Sequence, residues 1–413
     1  MNREKKNKKR IIFMVSTLNT GGAQRALANM SLAFPETYEI DFLLNDAQNI
    51  CYEYRGNIID LGLEPQEDKT NLLYQLRVFI KRYRELWRRK RSGNYIACVS
   101  ALTSANAVNI LTGTKRCKSV ISIRNYTSKS PIKGLKRRIM ETVIRHLYNN
   151  AYIAVAVSEN VRCDLIENYG VRPENVITVY NGYDLDKIAS LAKAPLMEKE
   201  RQWFQPGQFT IATAGRLTEE KGHWHLIRVM REVKNRIPNV KLLVLGEGKL
   251  EPYLLGLIDG CGLGDTVVLC GFVKNPYRIL SRCDLYVMPS LTEGFPNALA
   301  EAMCCGLPVI SADFDSGARE ILAPETPITQ KTQLEYEEEM YGVLCPVCDG
   351  IHYRAEQPLA DAEIILKKAV LAMMRNNEMR EYYSVKALER VRQLDSKVTI
   401  RKWIDLIDEA ANV

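Results

Sequence analysis

One rhythm, repeated twice along the chain, constrains the fold more than any other feature. Short apolar runs of strand length alternate with stretches of helical periodicity, which is the pattern of a mainly parallel sheet covered by helices. In the first half, residues 11–17, 38–44, 95–100, 119–123 and 152–157 predict strands. Helical patterns over 23–33, 72–90, 105–111 and 133–148 lie between them. Residues 189–208 hold Pro195 and Pro206 and no clear strand, so they predict a linker. A second series then runs through 209–214, 241–246, 267–270, 285–288 and 309–311, with helices over 222–236, 250–261, after Pro296 and after Asp361. Two doubly wound Rossmann-like α/β domains are expected. The first spans 1–188 with a basic tail at 1–10, the second spans 209–394, and the C-terminal helix 395–413 completes the first. Such domains face each other across a cleft, and open α/β sheets bind ligands at the carboxyl ends of their strands.

Composition narrows the function classes. The chain has 413 residues, with 46% apolar and 26% charged, an ordinary globular mix for about two domains. No apolar stretch approaches the roughly 18 residues of a spanning helix. Eleven cysteines at irregular spacing suggest thiols in a reducing, cytoplasmic setting. The net charge of +8 is unevenly spread. Residues 1–10 hold six bases and one acid, 81–91 hold seven and one, and 115–145 hold ten and one, so the remainder is acidic. The first domain is therefore the basic one, suited to an anionic membrane face or to nucleic acid. Trp87 within the 81–91 run fits a headgroup interface.

Three segments carry candidate chemistry. Gly21 and Gly22 stand between a predicted strand and a helix, where the backbone can approach a ligand and the helix offers unpaired amides. The pattern is neither a dinucleotide fingerprint nor a P-loop, and a plain tight turn also explains it. Arg216 and Lys221 follow the strand 209–214, a fork and a point charge suited to a diphosphate. Surface ion pairs with Glu219 and Glu220 would explain them equally well. The third segment is the most specific. Pro296 suits the first turn of a helix and Gly306 its C-terminal cap, with Pro308 forbidding continuation, so a short helix over 297–305 is predicted. Before it stand Glu293, Gly294 and Phe295; within it, Asn297 and Glu301. Gly294 permits close approach of an anion to free amides, and Glu301 lies about 6 Å further along the helix, near the distance from a diphosphate to a ribose. Both glutamates fit as hydroxyl binders. Each alone could instead be a dipole partner or a solvated side chain.

Together these segments resemble the retaining glycosyltransferases of glycosyltransferase family 4. Glu293 and Glu301 match that family's paired glutamates, and Gly21-Gly22 its N-terminal glycine loop. Asn181-Gly182-Tyr183-Asp184 matches the turn closing its first domain. Gly215-Arg216-Leu217 with Lys221-Gly222 matches its phosphate loop, and Gly246-Glu247-Gly248 a later glycine turn. The resemblance implies a GT-B fold and transfer of a hexose or N-acetylhexosamine from a UDP-sugar to a lipid-linked or nascent surface glycan, as in capsule or exopolysaccharide synthesis. It implies that Arg216 and Lys221 grip the donor diphosphate, helped by amides near Gly22 and Gly294. Glu293 would bind sugar hydroxyls, Glu301 the ribose, and backbone near Val273 the uracil. Phe295, Pro296 and Asn297 would complete the donor loop, with Asn181 on the first domain. No metal or other cofactor is implied.

Two departures stand out. Ile123-Arg124-Asn125 occupies the stretch where many relatives place a histidine, so Arg124 or Asn125 takes its place. Gly317-Ala318-Arg319-Glu320 lacks a customary proline. Asp184/Asp186 and Asp313/Asp315 spell a metal-binding pattern of another fold and are expected to be chance. Cys345 and Cys348 form half a zinc site without a second half. His223 and His225 at i and i+2 do not share a helix face. A sugar-nucleotide epimerase of the same fold and a basic nucleic-acid-binding scaffold are the rival functions. No recognition module supports the latter, and nucleic acid is not expected as a partner. A peripheral position on the inner membrane face is expected.

Overall fold

The computed structural model describes residues 8–19, 21–63, 72–129 and 134–412. The chain divides into two compact units, Met1–Gly182 with Ser396–Val413, and Tyr183–Asp395. Most of the basic tail expected at 1–10 lies outside the described residues, as do residues 130–133 of the basic stretch 115–145.

In the first unit the strands are β1 (Lys9–Met14), β2 (Tyr38–Leu44), β3 (Asn57–Asp60), β4 (Tyr95–Ala101), β5 (Lys118–Ile123), β6 (Ile153–Ala156) and β7 (Val176–Thr178). Helices α1 (Gly22–Ala33), α2 (Leu72–Ser92), α3 (Thr103–Leu111), α4 (Gly134–Leu147) and α5 (Glu159–Tyr169) connect them. Among the described residues the sheet order is β3-β2-β1-β4-β5-β6-β7, every pairing parallel. Chain direction across the sheet reverses between β1 and β4, which makes their carboxyl ends the topological switch point. Burial explains why the central strands read so clearly. Ile11, Ile12, Phe13, Phe42, Ala97, Val99 and Val120 are fully buried, as both faces of a helix-covered sheet require.

The second unit opens with α6 (Leu185–Ala192) and α7 (Glu198–Arg201). Its strands are β8 (Phe209–Ala214), β9 (Val240–Leu245), β10 (Val267–Gly271), β11 (Leu285–Met288), β12 (Val309–Ala312), β13 (Glu337–Glu339) and β14 (Gly342–Cys345). Its remaining helices are α8 (His223–Lys234), α9 (Glu251–Gly260), α10 (Tyr277–Leu280), α11 (Asn297–Cys304), α12 (Ala318–Leu322), α13 (Asp361–Arg375) and α14 (Asn377–Arg392). The order β10-β9-β8-β11-β12-β14-β13 is parallel except for β13 against β14, and its switch point lies between β8 and β11. Helix α15 (Ser396–Asn412) returns to the first unit, where Trp403 and Ile407 join the core beside Ile11 and Phe13.

The segment expected as a linker, 189–208, is instead built into the second unit. Glu200 is fully buried and accepts from Arg278 at 2.6 and 2.9 Å. Burial works to raise its carboxyl pKa, but the Arg278 guanidinium holds it below the usual range. Asn275 Nδ2 and the Arg282 guanidinium donate to the carbonyls of Leu191 and Ala192 at the end of α6. The unit therefore begins at Tyr183, before the expected boundary at 188.

Candidate active site

The second unit concentrates its chemistry at its switch point. β8 delivers Gly215 and Arg216, and a single turn of 3₁₀ helix (Glu219–Lys221) delivers Lys221. Two glycines set how closely this loop packs. Gly246 ends β9 at φ +148°, and a Cβ there would lie 1.9 Å from the Gly215 carbonyl oxygen. Gly222, at φ +59°, leads into α8; its Cβ would lie 2.5 Å from the Pro289 carbonyl oxygen, just past β11. Any larger residue at either place would push the two strand ends apart.

This close approach brings together residues distant in sequence. Lys221 Nζ forms an ion pair with Glu293 Oε1, and Ser290 Oγ donates to the same oxygen at 2.9 Å. Both charged side chains are largely shielded, with 17% and 13% of their area exposed. The acids expected beside the loop cations do not take Lys221. Glu219 instead pairs with Lys249 at 3.8 Å and with His352 Nε2 at 2.6 Å. Burial acts to raise Glu220, but hydrogen bonding and the charges of Arg216 and Lys221 hold it below the usual carboxylate range. Arg216 itself is exposed.

The loop after Glu293 is braced from β12. Ser316 Oγ donates to the Gly294 carbonyl at 2.7 Å, and Gly317, at φ +91°, leaves room for the Pro296 ring. Phe295 is buried. Asn297 opens α11 and accepts from the Tyr183 hydroxyl at 2.8 Å. Glu301, one turn further on, is buried at 5% exposure rather than solvated. Val273 is half-buried just beyond β10, where Glu247 Oε1 accepts from the neighbouring Phe272 amide at 2.9 Å.

Sequence spacing alone gives His223, the first residue of α8, no helix face in common with His225. Face-sharing was the wrong test, because each histidine faces a different group. His225 meets Glu363 at 2.8 Å, whereas His223 is buried beneath the loop that holds Gly215, Arg216 and Lys221. Burial, and after it the Lys221 charge, pushes the His223 pKa down to about 4; the Gly215 and Arg216 backbone offsets this only in part. The imidazole is therefore neutral at physiological pH. Sequence reasoning does not single out Ser290 or Ser316, although Ser290 stands only three residues before Glu293, and it gives Tyr183 and Glu247 only as members of motif turns.

In the first unit, Gly21 adopts φ 156° and ψ 148°, a conformation open essentially to glycine alone, and its amide donates to the Tyr52 hydroxyl at 2.9 Å. Gly22 opens α1 with open space where a Cβ would stand. The Arg124 guanidinium donates to Asn181 Oδ1 and, at 3.3 Å, to Ser122 Oγ, which brings two expected site residues together. Asn125 is exposed beside them.

The other motifs resolve as structure. Asp184 caps α6, and buried Asp313 takes two bonds from Arg319. That buried guanidinium also reaches Glu337 and Glu339, so it ties down the loop that lacks the proline. Cys345 and Cys348 are buried, and burial pushes both thiols well up.

Residues 197–332 match the family described as glycosyl transferases group 1, and residues 20–187 match glycosyltransferase family 4. An uncharacterised glycosyltransferase of Methanocaldococcus jannaschii is 33% identical over 294 residues, covering 70% of this chain and 72% of that protein. The chain is a family 4 glycosyltransferase. This glycosyltransferase is also 26% identical over 404 residues to a protein of Campylobacter jejuni, covering 95% of the chain and 96% of the relative. That relative is named N-acetylgalactosamine-N,N'-diacetylbacillosaminyl-diphospho-undecaprenol 4-alpha-N-acetylgalactosaminyltransferase. Among solved structures, Anabaena HepE in complex with UDP and glucose superposes with a TM-score of 0.73 at 18% identity, covering 97% of the chain and all of HepE. The fold of the glycosyltransferase is thus GT-B. Among the described residues, no helix is long and apolar enough to cross a membrane.

Proposed function

We propose that this glycosyltransferase moves a hexose or N-acetylhexosamine from a UDP-sugar, with retention of configuration, to a lipid-linked or nascent surface glycan. The observation that carries this is the Lys221–Glu293 pair with exposed Arg216 beside it, at the carboxyl ends of β8 and β11. A leaving diphosphate needs positive charge aimed at its developing negative charge, and Lys221 and Arg216 supply it in place of a metal ion. Glu293 holds donor sugar hydroxyls, Glu301 the ribose hydroxyls, and backbone near Val273 the uracil. The acceptor hydroxyl attacks the anomeric carbon from the face the diphosphate leaves. Its proton passes to a departing phosphate oxygen as the carbon–oxygen bond to UDP breaks. The diphospho-undecaprenol in the name of the Campylobacter relative and the UDP and glucose held by HepE support this choice of acceptor and donor.

The first unit holds the acceptor and rests on an anionic membrane surface. Leu76, Ile80 and Trp87 lie on one outer face of α2 at 52%, 46% and 41% exposure. Arg77, Lys81, Arg84, Arg88 and Arg91 are exposed around them, the composition of an interfacial helix.

Thermal unfolding with UDP, GDP, ADP and several UDP-sugars, with and without EDTA, tests the donor. A ligand at about 100 times its Kd adds roughly 2.7 kcal/mol of stability. A shift with UDP and UDP-sugars, unchanged by EDTA, is expected, and the anomeric configuration of the product by NMR then reads retention. A shift with GDP or ADP alone would overturn the donor, and an inverted product would overturn the mechanism.

A further inference from the structure

Helix α2 turns three large side chains fully inward at i, i+4 and i+8: Arg82, Leu86 and Lys90, at 4%, 0% and 2% exposure. Two of these three core positions are cations, and neither has a carboxylate partner among the described residues. Their situations differ. Lys90 Nζ donates to the Asn109 carbonyl, Asn109 Oδ1 and Ser119 Oγ at 2.6–3.0 Å, at the amino end of β5. Burial lowers its pKa, and an amine can shed its proton when burial demands it.

Arg82 has no such escape, because a guanidinium does not deprotonate near neutral pH. Burial brings its pKa down only to about 10. Its Nε donates to Asn45 Oδ1 at 2.6 Å, Nη1 to Ser104 Oγ at 3.0 Å and Nη2 to Ser16 Oγ at 3.1 Å. All three partners are neutral, so each nitrogen of the guanidinium has a hydrogen-bond partner while the charge has no counter-ion. A buried, uncompensated cation lowers stability, and a chain keeps one where a ligand supplies the missing anion.

The position supports the same conclusion. Ser16 follows β1, Asn45 follows β2 and Ser104 follows β4, so Arg82 lies under the switch point of the first unit. Ser104 is exposed and the other two are half-buried, so a ligand can reach the groups that surround the guanidinium. Ser104 sits in the first turn of α3, whose leading amides have no partner within the helix. Leu102, immediately before α3, is held at φ +78°, a conformation a leucine adopts only under constraint.

We infer that Arg82, with Ser16 and Ser104, forms an anion-binding site on the first unit that takes the phosphate of a phosphoester-linked acceptor. This deepens the proposed function and rests on it, since it makes the lipid diphosphate, rather than the sugar alone, a recognised part of the acceptor.

The probe is geranyl diphosphate, with geraniol as its neutral counterpart, titrated in thermal unfolding with UDP saturating the donor site. The wild type is expected to gain stability from geranyl diphosphate and none from geraniol. Arg82→Gln is expected to weaken that binding by roughly 10- to 100-fold, as for loss of a charged hydrogen-bonding group. It should still respond to UDP as the wild type does, and its ligand-free Tm should be equal or higher, because an uncompensated charge has gone. A geranyl diphosphate response unchanged in Arg82→Gln overturns the site. A lowered ligand-free Tm overturns it too, since it would make Arg82 a structural tie between strands. Absence of any UDP response in the wild type would overturn the donor assignment alone, because the anion site is read from the difference between wild type and Arg82→Gln in their response to geranyl diphosphate.

Discussion

Replacing His223 with glutamine should remove a measurable part of the acid sensitivity of the fold. A histidine free in the unfolded chain titrates near pH 6.5, whereas burial and the Lys221 charge bring His223 to about 4 in the folded protein. Between those values the unfolded state binds the extra proton, so stability from this group is fully present above about pH 6.5 and is lost as pH falls toward 4. The whole interval corresponds to about 3.4 kcal/mol, and the part lost by pH 5.0 to about 2 kcal/mol. For a unit of this size that is roughly 4–8 °C in Tm. The assay compares the fall in Tm between pH 7.5 and pH 5.0 in wild type and His223→Gln. The other three histidines are common to both proteins, so the difference isolates His223. The fall should be smaller in the variant by about that margin. Parallel curves would refute the claim that His223 is held neutral beneath the loop.

Three further outcomes are expected. Glu301→Ala should weaken UDP binding about tenfold by calorimetry, as for a lost charged hydrogen bond to the ribose; equal affinity would end the ribose assignment. Glu200→Ala leaves the largely shielded Arg278 guanidinium without its carboxylate and should destabilise the second unit by about 3 kcal/mol, with new proteolytic cleavage within 189–208. A variant as resistant as wild type would mean that the segment is held by other contacts. Ile80→Ser with Trp87→Ser should reduce co-sedimentation with vesicles rich in phosphatidylglycerol, and high salt should reduce the wild type's binding as well; retained binding would remove α2 from the membrane face.

What could be read from the sequence follows from how local each determinant is. The central strand expected at 11–17 announces itself because burial on both faces demands an unbroken apolar run, here Ile11 to Val15. β3 did not, because Asn57-Ile58-Ile59-Asp60 is a short edge strand with exposed ends. Helix α11 was legible to within one residue from Pro296 and Gly306, since capping chemistry is written in adjacent residues. The supposed linker was misread for the opposite reason. Its prolines are local, but what fixes it is Glu200 against Arg278, 78 residues away. The same holds at the site: Arg216, Lys221, Glu293 and Glu301 could be named individually, but nothing near Lys221 shows that its partner is Glu293 rather than Glu219 or Glu220. Arg82 is the extreme case, an ordinary base in a basic run until the fold turns it inward.

The two switch points differ in how their charge is held before a ligand arrives. At β1 and β4, Arg82 waits without an acid; at β8 and β11, Lys221 is already neutralised by Glu293. On the proposed function, a donor diphosphate draws Lys221 away from Glu293, which frees the carboxylate to accept from the sugar as the phosphates bind. This exchange makes Glu293 a competitor of UDP and a partner of UDP-sugar. Glu293→Gln keeps the shape of the side chain and removes the competing charge. UDP alone should bind the variant as tightly as wild type or up to about tenfold more tightly, the range of a net charged hydrogen bond in a largely shielded pair. Sugar transfer should fall, because the amide is a weaker acceptor for the donor hydroxyls. Calorimetry with UDP and turnover with the UDP-sugar read the two halves separately. UDP binding weakened tenfold in Glu293→Gln would show that the carboxylate supports the diphosphate site rather than competing for Lys221, and the exchange would be wrong.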